Sequence, residues 1–500
     1  MRSPQGTSTA RQGTYRPFLT CVRRMSSAAL GFGGTVLMLI LWTAPAMAVP
    51  DQNATKAPSG PPCTISAGRF DPSMDVQALN DFDNAIAQLL KEERFQELDC
   101  IADWARSSKA RFSGGTWVLH NVYRGLATPM PGHPTEEDWL THLQLLERWS
   151  EQKPDSITVP IALAKSYENY GWNARGSGYS DTVSESGWRL FGERLSKAKT
   201  ILDHASNKCP EWYVAMQEVA QGQGWEIDQL NALLERAVAF EPNYQYVYRA
   251  HATILLPKWQ GEEGDAARFS ETAADRLGGD AGDILYFQVA AWIVCGCEES
   301  ESSHFSWPRL QRGFSALEQR YGPSLNNLNS FALLAVKAKD HVAADAAFKR
   351  IGENWDKDVW RTEGWFKSNR SISAGHAPIE LRNRAVREEA RNNMQTETGA
   401  LYHKDVLQRV DALEKPCLLK MDNDRIKFEF LMLVASNGNV LEIQSNPRNT
   451  VAECMQQALF APHKTENAPF PPPPHDRYWV ILDLNPDVIN TAAKQAKPSR

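Results

Sequence analysis

A loop rich in glycine and aromatic residues is the stretch of this sequence best suited to bind a ligand. Tyr170 to Trp188, YGWNARGSGYSDTVSESGW, interrupts a helical pattern with four glycines. Loops on a rigid scaffold are where binding residues tend to lie. Arg175, Tyr179 and Asp181 could hold a peptide carboxylate, a sugar or a backbone segment, and Trp172 and Trp188 complete this predicted site. The alternative is a structural loop between helices whose aromatic side chains cap the core.

A second candidate is the segment Lys258 to Asp265, KWQGEEGD. Glu262, Glu263 and Asp265 could form an acidic cluster that binds a cation or a basic partner, and Trp259 is added to this candidate binding site. The alternative places these carboxylates around the first turn of the next helix, where negative charge favours the helix dipole.

The sequence gives weaker support for a catalytic or metal-binding site than for these two candidate binding sites. Cys295, Cys297, Glu298 and His304 lie close in sequence, but the paired cysteine spacing of zinc sites is missing. A disulfide from this segment to Cys209, or inert buried thiols, is the favoured interpretation, so we predict no metal and no cofactor. The sequence also lacks His-Glu-x-x-His, Gly-x-Ser-x-Gly and a dinucleotide fingerprint.

The first 48 residues are typical of a targeting segment. Five arginines precede the apolar run Ala28 to Ala44, and Ala46-Met47-Ala48 offers a cleavage site. The sequence therefore predicts a cleaved signal peptide or an uncleaved signal anchor, and a protein that faces the periplasm. The chain carries a net charge of −6, and removal of this basic segment would make it more acidic. Nucleic acid is therefore an unlikely partner.

The segments that must position the candidate residues read as pairs of amphipathic helices. After a linker at 49–74, helical stripes run from 75 to 360. Breaks at Pro210, Pro242, Gly282 and Pro323 are spaced by 32, 40 and 41 residues. Tetratricopeptide arrays repeat a helical hairpin about every 34 residues. The pattern predicts a tetratricopeptide-like helical-hairpin array with a concave aromatic face.

This part of the chain also resembles a known family. Residues 80–365 resemble the bacterial domain of unknown function 4034 through SGGTWVLHNVYRGL, CPEWYVAMQEVAQGQGW, LLPKWQGEEGD and other long motifs in the same order. The resemblance implies a helical-repeat fold and supplies no activity.

The C-terminal region has a different pattern. After a charged, partly helical linker at 361–414, residues 415–486 show two alternating strands around Asn437-Gly438-Asn439, a short helix from Thr450, and a third strand, Tyr478 to Leu484. This ββαβ order resembles the C-terminal domain of TonB-like periplasmic proteins and implies a small α+β domain. A disordered tail at 487–500 is predicted to follow. Cys417 with Cys454 is the favoured disulfide, and Cys63 with Cys100 is a weaker second.

The function predicted from these features is a non-catalytic module or scaffold that binds an envelope protein or peptide. An alternative is an envelope hydrolase or carbohydrate-active enzyme, in which Glu262, Glu263, Asp181 or Glu185 supplies paired carboxylates. A third hypothesis is a scaffold that links two partners. The catalytic residues of any such enzyme are unknown from the sequence.

Overall fold

The structure is a computed structural model that describes residues 76–130, 134–178, 180–418, 427–446, 450–459 and 469–484. They fall into two compact units that divide between Ser373 and Ala374. The predicted targeting segment, the linker at 49–74, Tyr179, Cys63 and the tail at 487–500 lie outside the described residues.

The first unit is a series of helices. They are α1 (Val76–Lys91), α2 (Phe95–Ser108), α3 (Val118–Leu126), α4 (Glu136–Gln152), α5 (Thr158–Arg175), α6 (Glu185–His204), α7 (Pro210–Gln223), α8 (Ile227–Phe240), α9 (Gln245–Ile254), α10 (Asp265–Leu277), α11 (Gly279–Ala291), α12 (Trp307–Tyr321), α13 (Leu325–Lys337), α14 (His341–Ile351), α15 (Lys357–Trp360) and α16 (Glu363–Gln395), which continues into the second unit.

From α5 onward these helices form hairpins in two layers. The inner helices α5, α7, α9, α11 and α13 contact one another in turn, and α6, α8, α10, α12 and α14 pack against them. Pairs begin at Pro210, Gln245 and Gly279, which are 35 and 34 residues apart. Pro210 occupies the first turn of α7, where its missing N–H leaves no bond unmade. The predicted tetratricopeptide-like array is confirmed.

One predicted break is misplaced. Gly282 lies inside α11, and the chain turns at Gly278 instead. A Cβ atom at Gly282 would stand 2.1 Å from the carbonyl oxygen of Ala274 on α10. The glycine is needed for close packing of two helices, a role that the sequence pattern does not distinguish from a turn.

The inner helices have little exposed surface. Eleven consecutive residues of α7, from Glu211 to Gln221, are buried, as are eight of α13, from Leu328 to Ala335. The prediction of an open concave face is therefore wrong along these helices. A stripe of apolar residues predicts one buried face, but here polar and small side chains are enclosed on the remaining faces as well.

A short segment between α2 and α3, which we call the clasp (residues 110–117), ties distant hairpins together. Asn327, at the start of α13, donates a hydrogen bond to the carbonyl oxygen of Gly114 at 2.9 Å. The side chain of Gln245, at the start of α9, bonds the carbonyl oxygen of Gly115 at 3.3 Å. Arg111 lies over the ring of Trp117, 3.5 Å from its centroid. Hydrogen bonds between residues 213 and 130 positions apart thus tie the clasp to the starts of α13 and α9.

The second unit is a three-stranded sheet between helices. Its elements are the second part of α16, α17 (Glu397–Leu418), β1 (Phe428–Val434), β2 (Val440–Asn446), α18 (Thr450–Leu459) and β3 (Tyr478–Leu484). The strand order is β2-β1-β3, with antiparallel pairing throughout. Phe430 and Met432 face α17 and α18, whereas Leu431 and Leu433 pack with Val386 of α16. The predicted ββαβ order is present.

The structure differs from the sequence prediction at 361–414. This segment was expected to be a linker with a surface helix, but α16 and α17 place Val386, Ala390, Val406 and Val410 in the cores on the two faces of the sheet. Those apolar residues are sparse among charges, so the helical stripe is weak in the sequence. A disulfide joins Cys417 of α17 to Cys454 of α18, the pairing that the sequence favoured.

Candidate functional site

The long connections of the array collect on one edge. The loops that follow inner helices include 176–184, 255–264 and 292–306, whereas the loops that return from outer to inner helices between α6 and α13 have at most five residues. We call these three long loops the loop rim. Insertions in repeat arrays often gather on the face that binds a partner.

Direct contacts join loop 255–264 to loop 292–306 and to the end of α5. The rings of Trp172, at the end of α5, and Trp259, in loop 255–264, lie 6.1 Å apart between centroids. Glu263 of the same loop is 3.1 Å from His304 of loop 292–306. The backbone N–H of Gly264 donates to Glu301 at 3.3 Å. The structure therefore brings the two stretches singled out in the sequence onto one continuous surface.

Trp172, Arg175 and Trp188 form the first part of this surface. The guanidinium carbon of Arg175 lies 5.4 Å from the ring centroid of Trp172 and 5.0 Å from that of Trp188. Phe191 packs against both indoles, at 4.7 and 5.9 Å between centroids. Trp188 is 40% exposed, while Arg175 is only 8% exposed. We call this group the Arg175 recess. Asp181 is exposed in the short 3₁₀ helix of the loop.

The acidic pair has a local structural role as well. The side chain of Asp265, the first residue of α10, accepts a hydrogen bond from the backbone N–H of Glu262 at 2.7 Å. This agrees with the alternative that the carboxylates surround the first turn of a helix.

Two surface recesses of about 360 and 350 Å³ are lined by residues outside these candidate sites, including Asp99 and Lys153 in one and Tyr167 and Lys197 in the other.

The cysteine segment does not form the predicted link to Cys209. Cys209 and Cys295 are both free buried thiols. Burial raises the pKa of Cys295 to about 12, so the thiol is protonated at neutral pH. Within the described ranges, no group of three or more His, Cys, Asp and Glu side chains is arranged to hold a metal ion.

A buried charge cluster escaped the sequence analysis. Lys165 of α5 lies 3.0 Å from carboxylate oxygens of both Glu211 and Glu218 on α7. His120 donates from Nδ1 to Glu211 at 3.2 Å, and the hydroxyl of Tyr244 donates to the same carboxylate at 2.5 Å. Helical periodicity in a sequence assigns charged residues such as these to the solvent-facing side of a helix. The cluster becomes evident only when the inner helices are packed together.

Burial and charge act against each other in this cluster. Burial disfavours the ionised form of Glu211, but Lys165 and His120 outweigh it and lower its pKa to about 2. Burial disfavours the charged form of Lys165 too, and the carboxylates of Glu218 and Glu211 reverse that effect and raise its pKa. Burial, with the charge of Glu218, raises the pKa of Glu168 well above its usual range. The arrangement is enclosed between inner helices, so it offers no access to a substrate.

Comparisons with known proteins add little. No protein-family model matches the chain. No curated protein matches it. Among solved structures, the crystal structure of the yeast Tom70 aligns with a TM-score of 0.25 and 13% identity, covering 66% of this chain and 79% of that one. That similarity is too low to bear on the fold or the function. The resemblances stated from the sequence stay predictions.

No helix in the described part of the chain is both long enough and apolar enough to cross a membrane.

Proposed function

We propose that this protein is a non-catalytic binding module that holds a protein or peptide partner on the loop rim. The observation that carries the proposal is the collection of the long loops on one edge of a rigid array. The inner helices are enclosed, which leaves the rim as the irregular surface that a partner can reach. An exposed tryptophan, Trp188, and a buried arginine, Arg175, lie next to each other on the two helices that loop 176–184 connects, and both residue types are enriched where binding energy concentrates.

The C-terminal sheet supplies a second docking surface. Side chains from two helices bond to the backbone of β3: Asn393 donates to the carbonyl oxygen of Trp479 at 3.0 Å, and His403 to that of Ile481 at 2.9 Å. No described side chain bonds to the backbone of β2, and no described strand pairs with its outer edge. An extended segment of a partner can add to such an edge through backbone hydrogen bonds.

Site-specific photo-crosslinking in cells tests the rim. A photoreactive residue replaces Asp181 or Glu262, both exposed on the rim, or Asp203, exposed on α6 and away from the long loops. We expect one and the same crosslinked species from the two rim positions and none from position 203. Equal crosslinking from all three positions, or none from any, would contradict the proposal.

The cellular location proposed with this function is the periplasm or the inner membrane facing it, with a partner in the cell envelope. The basic and apolar pattern of residues 1–48 supports this. A phosphatase that is active only outside the cytoplasm, fused after the described C-terminal strand, should be active in the full chain. It should be inactive when residues 1–48 are deleted, and activity in both forms would refute the export proposal.

A further inference from the structure

Arg175 is a buried cation without an acidic partner. It is as buried as Arg194, 8% exposed in each case, yet Arg194 lies 3.3 Å from Glu136, and no described carboxylate lies within ion-pair distance of Arg175. Its Nη1 group donates to the carbonyl oxygens of Gly176 and Gly178 at 3.1 and 3.2 Å. The remaining nitrogens of this guanidinium are not among the enclosed polar atoms of the described chain, so an anion can reach the charge.

The donors of Arg175 are only partly used. A guanidinium carries five N–H groups in a planar fork, and both of these bonds come from Nη1. Nε and Nη2 therefore have no hydrogen-bond partner in the part of the chain that the structure describes. These two nitrogens form the edge that binds both oxygens of a carboxylate at once. Burial lowers the pKa of Arg175, consistent with the missing negative charge.

The side chains around the Nε and Nη2 atoms of Arg175 determine which kind of anion fits there. The guanidinium of Arg175 lies near two indole rings, that of Trp188, which is 40% exposed, and that of Trp172. A Cβ atom added at Gly176 would meet nothing within 4 Å, so the loop leaves open space there. The recess offers one bidentate cation and an apolar wall. A phosphate group prefers several donors and a second cation, whereas a carboxylate attached to an apolar group fits both features.

We propose that the Arg175 recess binds a carboxylate of the partner peptide, with an apolar side chain of the same peptide lying on Trp188. This inference rests on the proposed binding function of the rim and names the chemistry that one part of it recognises. The carboxylate comes from an aspartate or glutamate side chain or from a peptide C-terminus, since both present the same two oxygens.

Selection from peptide libraries tests this with the full chain. Random octapeptides are offered in three forms: with a free C-terminal carboxylate, amidated with a central glutamate, and amidated with a central glutamine. We expect binders from the first form, the second or both, with at least tenfold weaker binding once that carboxylate is amidated or replaced by glutamine. The form that binds identifies the source of the carboxylate.

Variants then locate the site. Arg175→Lys keeps a charge that can still reach the loop carbonyl groups but loses the bidentate fork, so we expect at least tenfold weaker binding and an unchanged melting temperature. Trp188→Ala should weaken binding as well. Arg189→Met is the matched control, because Arg189 is exposed on α6 and, among the described residues, forms its ion pair with Glu193; the affinity of this variant should equal that of the natural chain.

The outcomes separate the two proposals. Peptides that bind equally well with glutamine and an amidated terminus, or equally well to Arg175→Lys, would overturn the carboxylate assignment and leave rim binding standing. A natural chain that binds no peptide from any form would overturn this inference, and absence of rim crosslinks in cells would decide separately against the proposed function.

Discussion

Replacing Lys165 by methionine tests whether the buried charge cluster holds two inner helices together. The ammonium of Lys165 bridges Glu211 and Glu218 at 3.0 Å each, and the three side chains are 8%, 0% and 4% exposed. Methionine preserves most of the side-chain volume but removes the cation, so both carboxylates stay buried without it.

The expected loss follows from these distances. At 3.0 Å and an effective dielectric constant of about 20, each contact contributes about 5 kcal/mol of Coulomb attraction. Desolvation of the ammonium opposes much of this, and removal of one partner of a buried pair typically costs about 3–5 kcal/mol. We expect Lys165→Met to lower the free energy of unfolding of the first unit by about that amount.

The dependence on pH identifies the cause. The pKa of Glu211 is depressed to about 2, below its ordinary value of 4.5, so its contribution to stability is present above pH 4.5 and lost as the pH falls toward 2. The deficit of Lys165→Met should therefore be largest at neutral pH and shrink in acid, because the carboxylates lose the charge that the lysine neutralised.

Urea unfolding followed by far-ultraviolet circular dichroism, at about pH 7 and about pH 3, measures both effects. The control is Lys199→Met, since Lys199 pairs with Asp203 on the surface, where the side chains are 34% and 47% exposed. That variant should change stability by less than about 1 kcal/mol. A Lys165→Met deficit no larger than the control's at neutral pH, or undiminished in acid, would refute the reasoning.

Three further predictions concern other parts of the chain. Gly114→Ala should destabilise the first unit by about 2–4 kcal/mol in urea unfolding, because φ is +76° and a Cβ would stand 2.3 Å from Ser324. Gly224→Ala, at a φ of +69° in the same left-handed region but with nothing within 4 Å of the added Cβ, should lose only about 1 kcal/mol, and equal losses would contradict the role of the clasp. Cys417→Ser removes a disulfide that closes a loop of 37 residues, so it should destabilise the second unit by about 4 kcal/mol. Urea unfolding of this variant is compared with that of the natural chain with and without reductant; a natural chain that is equally stable in both conditions would contradict the prediction. Burial lowers the pKa of His142 to about 4, so its neutral form should stabilise the fold above pH 6.5, and this stability should be lost as the pH falls from 6.5 to 4. His142→Gln should make stability less dependent on pH across that window, where His251, whose pKa burial also lowers to about 4, still contributes; an unchanged profile would refute the assignment.

Short-range patterns in the sequence predict much of the secondary structure of this protein. The side chain of Asp340, in the short connection after α13, caps α14 by accepting the N–H of Ala343 at 2.9 Å. The hairpin turn at Asn437-Gly438-Asn439 and the alternation of Phe428 to Val434 likewise appear as β1 and β2. Such features depend on residues within a few positions of each other, which is why a single sequence suffices to predict them.

The candidate site was predicted in pieces. The sequence singled out the residues around Arg175 as a loop that breaks a helical pattern, and separately those around Trp259 as an acidic segment. The two segments lie on the same edge because successive inner helices pack side by side, and only the packed array shows this. The missing counter-ion of Arg175 is also a tertiary fact, since any distant acidic residue could have supplied it.

The sequence by itself thus determined the helical hairpins, the small sheet and the loops that interrupt them, because propensity, periodicity and turn chemistry are local. Only the tertiary structure decided which charges are buried. Lys165 and Glu211 are 46 positions apart, and nothing local distinguishes them from surface residues. The same holds for the clasp, where Gly114 meets Asn327. Burial is a property of the whole packed chain, and it determines whether a charge is solvated, paired or left to bind a partner.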